Sequence, residues 1–291
     1  MLAAADRHEQ DPPPFAAPTP PARFRLPRGA VDTHAHVIGT RYIENRSYTP
    51  TPAPATDYLA MLDAVGMDRG VLVQVSVHGT DNSLMLGTVR ANPQRLRGVA
   101  VVSHDEPEHK LRAMKDAGIV GLRLNTTTGG GVGISRLRDY AALCAELGWH
   151  IQFLVEPHQL DTLRPQVARL HVPAVFDHMG YARPGADMAQ ARRTLVQLVR
   201  DGAWVKLSGA FRLTRSGSPY QDTVALAQEL IEAGPARCVW GSDWPHVSFR
   251  GPMPDPGALL DLLADWAPDE QARDAILVSN PQRLYGFPDL R

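Results

Sequence analysis

The sequence predicts an α/β protein built as a single-domain (β/α)8 TIM barrel, on three observations. Eight short β-branched runs alternate with amphipathic helical stretches from Ala30 onward, the series expected of a closed parallel sheet ringed by helices. The 291 residues suit one such barrel, whose usual size is ~250 residues. Two histidines tip the first run and an aspartate tips the last, and closing a barrel brings those two ends together.

The chain divides into a Pro-rich arm over residues 1–28 and the barrel over 29–291. Pro12-Pro13-Pro14 and Pro18-Thr19-Pro20-Pro21 form neither helix nor central strand, so the arm is expected to be extended or disordered. Asp6 to Gln10 are too polar for a signal-peptide core, which makes the cytoplasm the expected location. The expected strands are Ala30–His36, Gly70–Ser76, Arg97–Val102, Ile119–Leu124, His150–Val155, Ala174–His178, Ala203–Leu207 and Arg237–Ser242. Between them fall the helical patterns Asp57–Val65, Ser83–Ala91, Pro107–Ala117, Ser135–Leu147, Leu160–Ala168, Met188–Arg200, Gln221–Ala233 and Pro256–Trp266. Gly66, Gly118, Gly148, Gly202 and Gly234 follow helices, where a left-handed cap is expected. An open doubly wound sheet would carry a Gly-rich phosphate fingerprint after its first strand, and none is there. Gly129-Gly130-Gly131 lacks the lysine and hydroxyl pattern of a nucleotide site and reads as a flexible active-site loop.

Composition narrows the partners. Thirty Lys+Arg against 31 Asp+Glu give a formal charge of −1, so no basic footprint for nucleic acid exists. No apolar run approaches the ~18 residues of a membrane span. Cys144 and Cys238 sit in apolar surroundings and read as core residues of a reducing compartment. The partner expected is a small molecule; monomer and homo-oligomer both remain open.

Chemistry in this architecture sits at the C-terminal ends of the strands. Alternate strand residues share a face, so His34 and His36 converge, as histidines do around a metal, a proton or a polarised carbonyl. The same mouth should receive Ser76 and His78 after strand two, Arg123 on strand four and His178 on strand six. Arg212 follows strand seven and Asp243 strand eight. His8, His109 and His171 read as solvated, and His246 is left outside the set.

With His34-Ala-His36, Asp177-His178-Met-Gly180 and Gly241-Ser-Asp243-Trp-Pro-His246 in order, the chain resembles the amidohydrolase superfamily, in its amidohydrolase-related (family 2) branch. The likeness runs from about Gly29 to Phe287. Within the branch it looks most like the 2-pyrone-4,6-dicarboxylate lactonase and D-galactarolactone isomerase groups. Arg46-Ser-Tyr48-Thr-Pro50, Val73 to Asn82, Gly121-Leu-Arg123-Leu-Asn125 and Asn280 to Tyr285 carry that likeness. It implies a metal-free lactonase site, because strand five offers Gln152 or Leu154 where metal-holding members place a further histidine. One zinc at His34, His36 and Asp243 is the alternative. The chain also departs from the pyrone lactonases. Thr126-Thr-Thr-Gly-Gly-Gly131 lacks a second basic residue and Leu154 replaces a tyrosine, so a less acidic lactone is expected.

The resulting expectation is a hydrolase that opens a small, carboxylated lactone. Asp243 would act as general base on water, and His34, His36 and His178 would donate hydrogen bonds to the oxyanion. Arg123 and Arg212 would grip a carboxylate, with Tyr48, Ser76 and His78 as neutral donors. No Gly-x-Ser-x-Gly elbow is present. A lactone isomerase would need the same residues.

Overall fold

A computed structural model describes residues 18–288. All eight expected strands form: β1 (Val31–Ala35), β2 (Arg69–Val73), β3 (Leu96–Ala100), β4 (Ile119–Asn125), β5 (His150–Leu154), β6 (Ala174–Phe176), β7 (Trp204–Leu207) and β8 (Cys238–Trp240). They lie in the order β1 to β8 in one sheet, every neighbouring pair parallel. The segment following β8 completes the circle. Trp244 pairs with Ala35, Asp243 N–H donates to the His34 carbonyl at 2.8 Å, and His36 N–H donates to the Trp244 carbonyl at 2.9 Å. The barrel therefore closes at its C-terminal mouth, through residues 34–36 and 243–244.

The helices end near their expected limits, with one difference. The Pro256–Trp266 pattern breaks into Pro256–Asp261 and Leu263–Trp266. Gly66 and Gly148 cap their helices in the left-handed region at φ 88° and 69°, whereas Gly234 is extended at φ −159° and leads into Pro235. Most apolar helix faces join the outer strand faces in one continuous core. Inside the barrel, Val31, Val71, Val73 and Val99 pack with Tyr285 and Phe287, and Val175, Trp204 and Val239 form a second cluster. Both cysteines are buried and free.

The described part of the arm lies along the end of the chain. Ala22 and Arg23 N–H groups donate to Asp261, and the Arg23 guanidinium meets Asp265 in a forked pair at 2.6 and 2.8 Å. Residues 1–17 of the arm fall outside the described residues. Among those described, no helix is long and apolar enough to cross a membrane.

Candidate active site

Two buried carboxylates fasten the histidine strand to the rest of the barrel. Asp32 accepts from Ser242 N at 2.8 Å, Ser242 Oγ at 2.6 Å and Tyr58 OH at 3.2 Å, tying β1 to the residue before Asp243. Burial raises its pKa to about 6 against those bonds. Asp177, just past β6, lies with Oδ1 at 3.2 Å from His34 Nδ1, and its Oδ2 accepts from Arg123 Nε at 3.2 Å and Gln152 Nε2 at 3.0 Å. Asp243, His178 and Tyr181 have φ of 61°, 49° and 51°. Side chains with a Cβ rarely adopt that region, and such strain gathers at functional sites. Gly241 is needed for a different reason: a Cβ there would sit 2.6 Å from the Cβ of His34.

The Asp243 carboxylate is the hub. Its Oδ2 accepts from Arg212 Nε at 2.5 Å, and Arg212 Nη2 is fixed on the Val247 carbonyl at 2.9 Å. Its Oδ1 faces three imidazoles: Nε2 of His34, His36 and His178 lie 3.8, 3.9 and 3.8 Å away. Burial would raise the Asp243 pKa, but the Arg212 charge overrides it and holds the group well below the carboxylate range. Burial lowers His36 to about 3 and His178 to about 4, and pushes His34 well down. All three rings are neutral at pH 7.

Their far nitrogens set the tautomers. His36 Nδ1 is 2.7 Å from the Val73 carbonyl. A carbonyl only accepts, so Nδ1 carries the proton and a neutral His36 turns a lone pair at Nε2 toward Asp243. In that tautomer His36 presents an acceptor at Nε2, where a donor to the oxyanion was expected. His178 Nδ1 lies 3.0 Å from Ser208 Oγ, a hydroxyl able to donate to it and leave the proton on Nε2. His34 Nδ1 is shared between Asp177 and Lys206 Nζ, the latter at 3.3 Å.

Lys206 is the buried cation that sequence reasoning missed. Fully buried on β7, it donates to the Thr33 carbonyl and Gln152 Oε1, both at 2.8 Å, and lies 3.6 Å from Asp177. Burial lowers its pKa to about 8. A lone lysine in the apolar run Trp204-Val-Lys-Leu207 was the available signal.

The pocket is lined by His36, Tyr48, Ser76, Arg123, His178, Arg212 and Asp243 from the expected set, with Leu154, Tyr181 and Thr127 among the additional residues. His34 sits one layer beneath. His78 is not among the lining residues: it stacks on Tyr42 at 6.1 Å and its Nε2 accepts from Gly39 N–H at 3.3 Å. The Ser76–His78 stretch coils into a 3-10 turn, which turns the ring away from the mouth. His246 is buried edge-on against Phe211. A larger cleft near Arg97 and Trp149 lies at the opposite end of the strands.

The donor set also has the spacing to hold one divalent cation. Ligand atoms of His34, His178 and Asp243 lie within 4.8 Å of one another, and the Nδ1 atoms of His34 and His178 each face a polar neighbour, as metal-ligating histidines do. This trio differs from the expected one in having His178 in place of His36.

A (β/α)8 barrel with paired histidines on its first strand and an aspartate after its last defines a hydrolase-type barrel of the amidohydrolase kind. The chain belongs to the amidohydrolase family, whose family model (Amidohydro_2) matches residues 31–287. It is 39% identical over 277 residues to the 4-sulfomuconolactone hydrolase of Rhizobium radiobacter, covering 91% of this chain and 93% of that one. It is 30% identical over 268 residues to the D-galactarolactone isomerase of Agrobacterium fabrum, covering 89% and 92%. A crystal structure of a probable 2-pyrone-4,6-dicarboxylic acid hydrolase from Acinetobacter baumannii, with citric acid bound, superposes with a TM-score of 0.78. That chain is 30% identical, with 89% of this chain and 100% of the other covered.

Proposed function

We propose that the protein is a lactonase that opens a small carboxylated lactone by Asp243-activated water, without a metal. The observation that carries this reading is the Asp243 Oδ1 atom facing imidazole nitrogens at 3.8 to 3.9 Å. That gap is too long for a direct hydrogen bond and suits one bridging water. The water donates one proton to Asp243 Oδ1 and the other to the His36 Nε2 lone pair, leaving its own lone pair for the lactone carbonyl. As the C–O bond forms, Asp243 takes the proton, a contribution of typically 10²–10⁴-fold. His178 Nε2–H donates to the developing oxyanion, worth ~3–4 kcal/mol in acyl-transfer sites. Collapse breaks the ring C–O bond, and Asp243 returns its proton to the leaving oxygen. The product is a hydroxy acid that ionises and releases one proton to solvent.

Arg123 is the anchor for the substrate carboxylate. Its Nε is spent on Asp177, and its Nη groups make no hydrogen bond to the described residues. Arg212 instead holds Asp243 and Val247, so its main task is to keep the base ionised. Charge balance supports a metal-free site: Asp177 and Asp243 are already met by Arg123, Lys206 and Arg212. A divalent cation would add two uncompensated charges in a buried place. Were one bound, His34, His178 and Asp243 would hold it, and it would supply Lewis-acid polarisation of the carbonyl. The relatives named as a lactone hydrolase and a lactone isomerase support the substrate class.

The test is a lactone panel in ¹⁸O-labelled water with a chelator present. Ring opening with label in the product supports the proposal. Ring migration without label would make the protein an isomerase, and turnover that disappears with chelator and returns with zinc would overturn the metal-free reading.

A further inference from the structure

We infer that Asn125 is a specificity-determining positioning residue: it locks the Ser76–Thr128 hydroxyl pair so that one proton is held out to the substrate, and the pocket selects lactones bearing an anionic oxygen substituent. This rests on the lactonase reading and names the feature of substrate that the site selects. Asn125 ends β4 two residues after Arg123, on the same face of the strand. Its amide orientation is determined by its neighbours. The Oδ1 atom accepts from Thr127 N–H at 2.9 Å, Thr128 N–H at 3.3 Å and the Thr127 hydroxyl at 3.0 Å. Backbone N–H groups only donate, so the other amide atom is nitrogen.

Both protons of that nitrogen are then assigned. Nδ2 donates to Ser76 Oγ at 2.9 Å and to Thr128 Oγ1 at 2.7 Å, while Thr128 Oγ1 donates to Ser76 Oγ at 2.9 Å. A hydroxyl has one proton and two lone pairs. Ser76 Oγ has used both lone pairs, and its own proton has no acceptor among the described residues. Ser76 and Thr128 both line the pocket, so that proton is offered to the substrate. Reversing the Ser76–Thr128 bond moves the free proton to Thr128 and leaves the count the same. Whichever hydroxyl bears it, the pair presents one neutral donor, beside the cationic Arg123.

The glycine run serves this arrangement. A Cβ on Gly131 would stand 2.6 Å from the Asn125 Cβ, and one on Gly130 would meet the Ser76 carbonyl. Asn125 N–H also donates to the Val132 carbonyl at 2.8 Å. The loop that seemed only flexible in sequence is therefore folded down on the Asn125 subsite.

Calorimetric binding of two probes, measured in the Asp243→Asn background so that neither ring opens during the titration, tests the inference: γ-butyrolactone, and the same ring carrying a carboxylate on its γ carbon. Asn125→Asp removes both amide protons, lets its carboxylate accept from Ser76 and Thr128, and places a negative charge at the subsite. The expected result is a dissociation constant for the carboxylate probe raised by about 10- to 100-fold, the range for a hydrogen bond to a charged group, with the parent lactone changed by less than about 2-fold. Thr128→Val, which keeps Asn125, serves if the first variant does not fold, with weakening again confined to the carboxylate probe. Equal effects on both probes, no effect on the carboxylate probe, or an Asp243→Asn protein with Asn125 intact and no preference for it would overturn the inference. Absence of turnover in the labelled-water panel bears on the lactonase reading alone, since binding is read separately.

Discussion

His36 shows how one hydrogen bond decides a residue's chemistry. Its Nδ1 proton goes to the Val73 carbonyl, so in the proposed mechanism the neutral ring supports the attacking water as an acceptor. The position of the ring was legible, because a two-residue spacing on a strand sets direction; the tautomer was not, because it depends on a carbonyl from β2. Lys206 was illegible for a related reason. A single lysine in a short apolar run has no pattern around it, and its partners come from β1, β5 and the β6 end. Its ammonium balances Asp177, and its folded pKa of about 8 lies below the ordinary 10.5. Raising pH through 8 therefore strips that charge from the folded site. We expect kcat/KM to fall above pH 8, and Lys206→Met to have lower activity with that alkaline limb abolished; a limb that persists in the variant would assign it elsewhere. Arg123→Met should raise KM for a carboxylated lactone about 10-fold or more with little change for an uncharged one, measured by initial rates on both.

At the scale of elements, all eight strands were readable, because β-branched runs between glycine-ended helices have little alternative. The loops were less so. His78 was expected in the mouth and instead packs on Tyr42, since the turn after β2 rotates it by an amount that strand periodicity does not describe. Tyr181 was passed over because it enters through the left-handed turn after β6. The closing seam between β1 and the segment after β8 gives the sharpest prediction here. Gly241→Ala would drive a methyl against His34, and overpacking of this kind costs about 1–3 kcal/mol. Urea denaturation should show that loss together with reduced turnover; unchanged stability would mean the seam is looser than its distances.

Over the whole molecule, the barrel stores neutral histidines and charged carboxylates in its interior. His36, His150 and His178 have folded pKa values of about 3, 3 and 4, all depressed by burial. The unfolded chain takes up protons on these rings from pH 6.5 downward, while the folded chain does not until about pH 4. Stability should therefore fall as pH drops from 6.5 toward 4, and Asp177 and Asp243, held low by their cationic partners, extend the loss below pH 4. Thermal melting at pH 7 and pH 5 checks this: the midpoint should be lower at pH 5, and an equal or higher midpoint would place charged imidazoles in the fold. Circular closure is also what makes the function cohere, since residues 34, 36, 178 and 243 meet only when the ends of the sheet do. The most direct test of that meeting is proton release from a carboxylated lactone by Asp243→Asn and by the wild type, both with chelator present. The account predicts rapid acidification by the wild type and a rate at least 100-fold lower for the variant, within the general-base range, with substrate affinity nearly kept. Equal rates would contradict it.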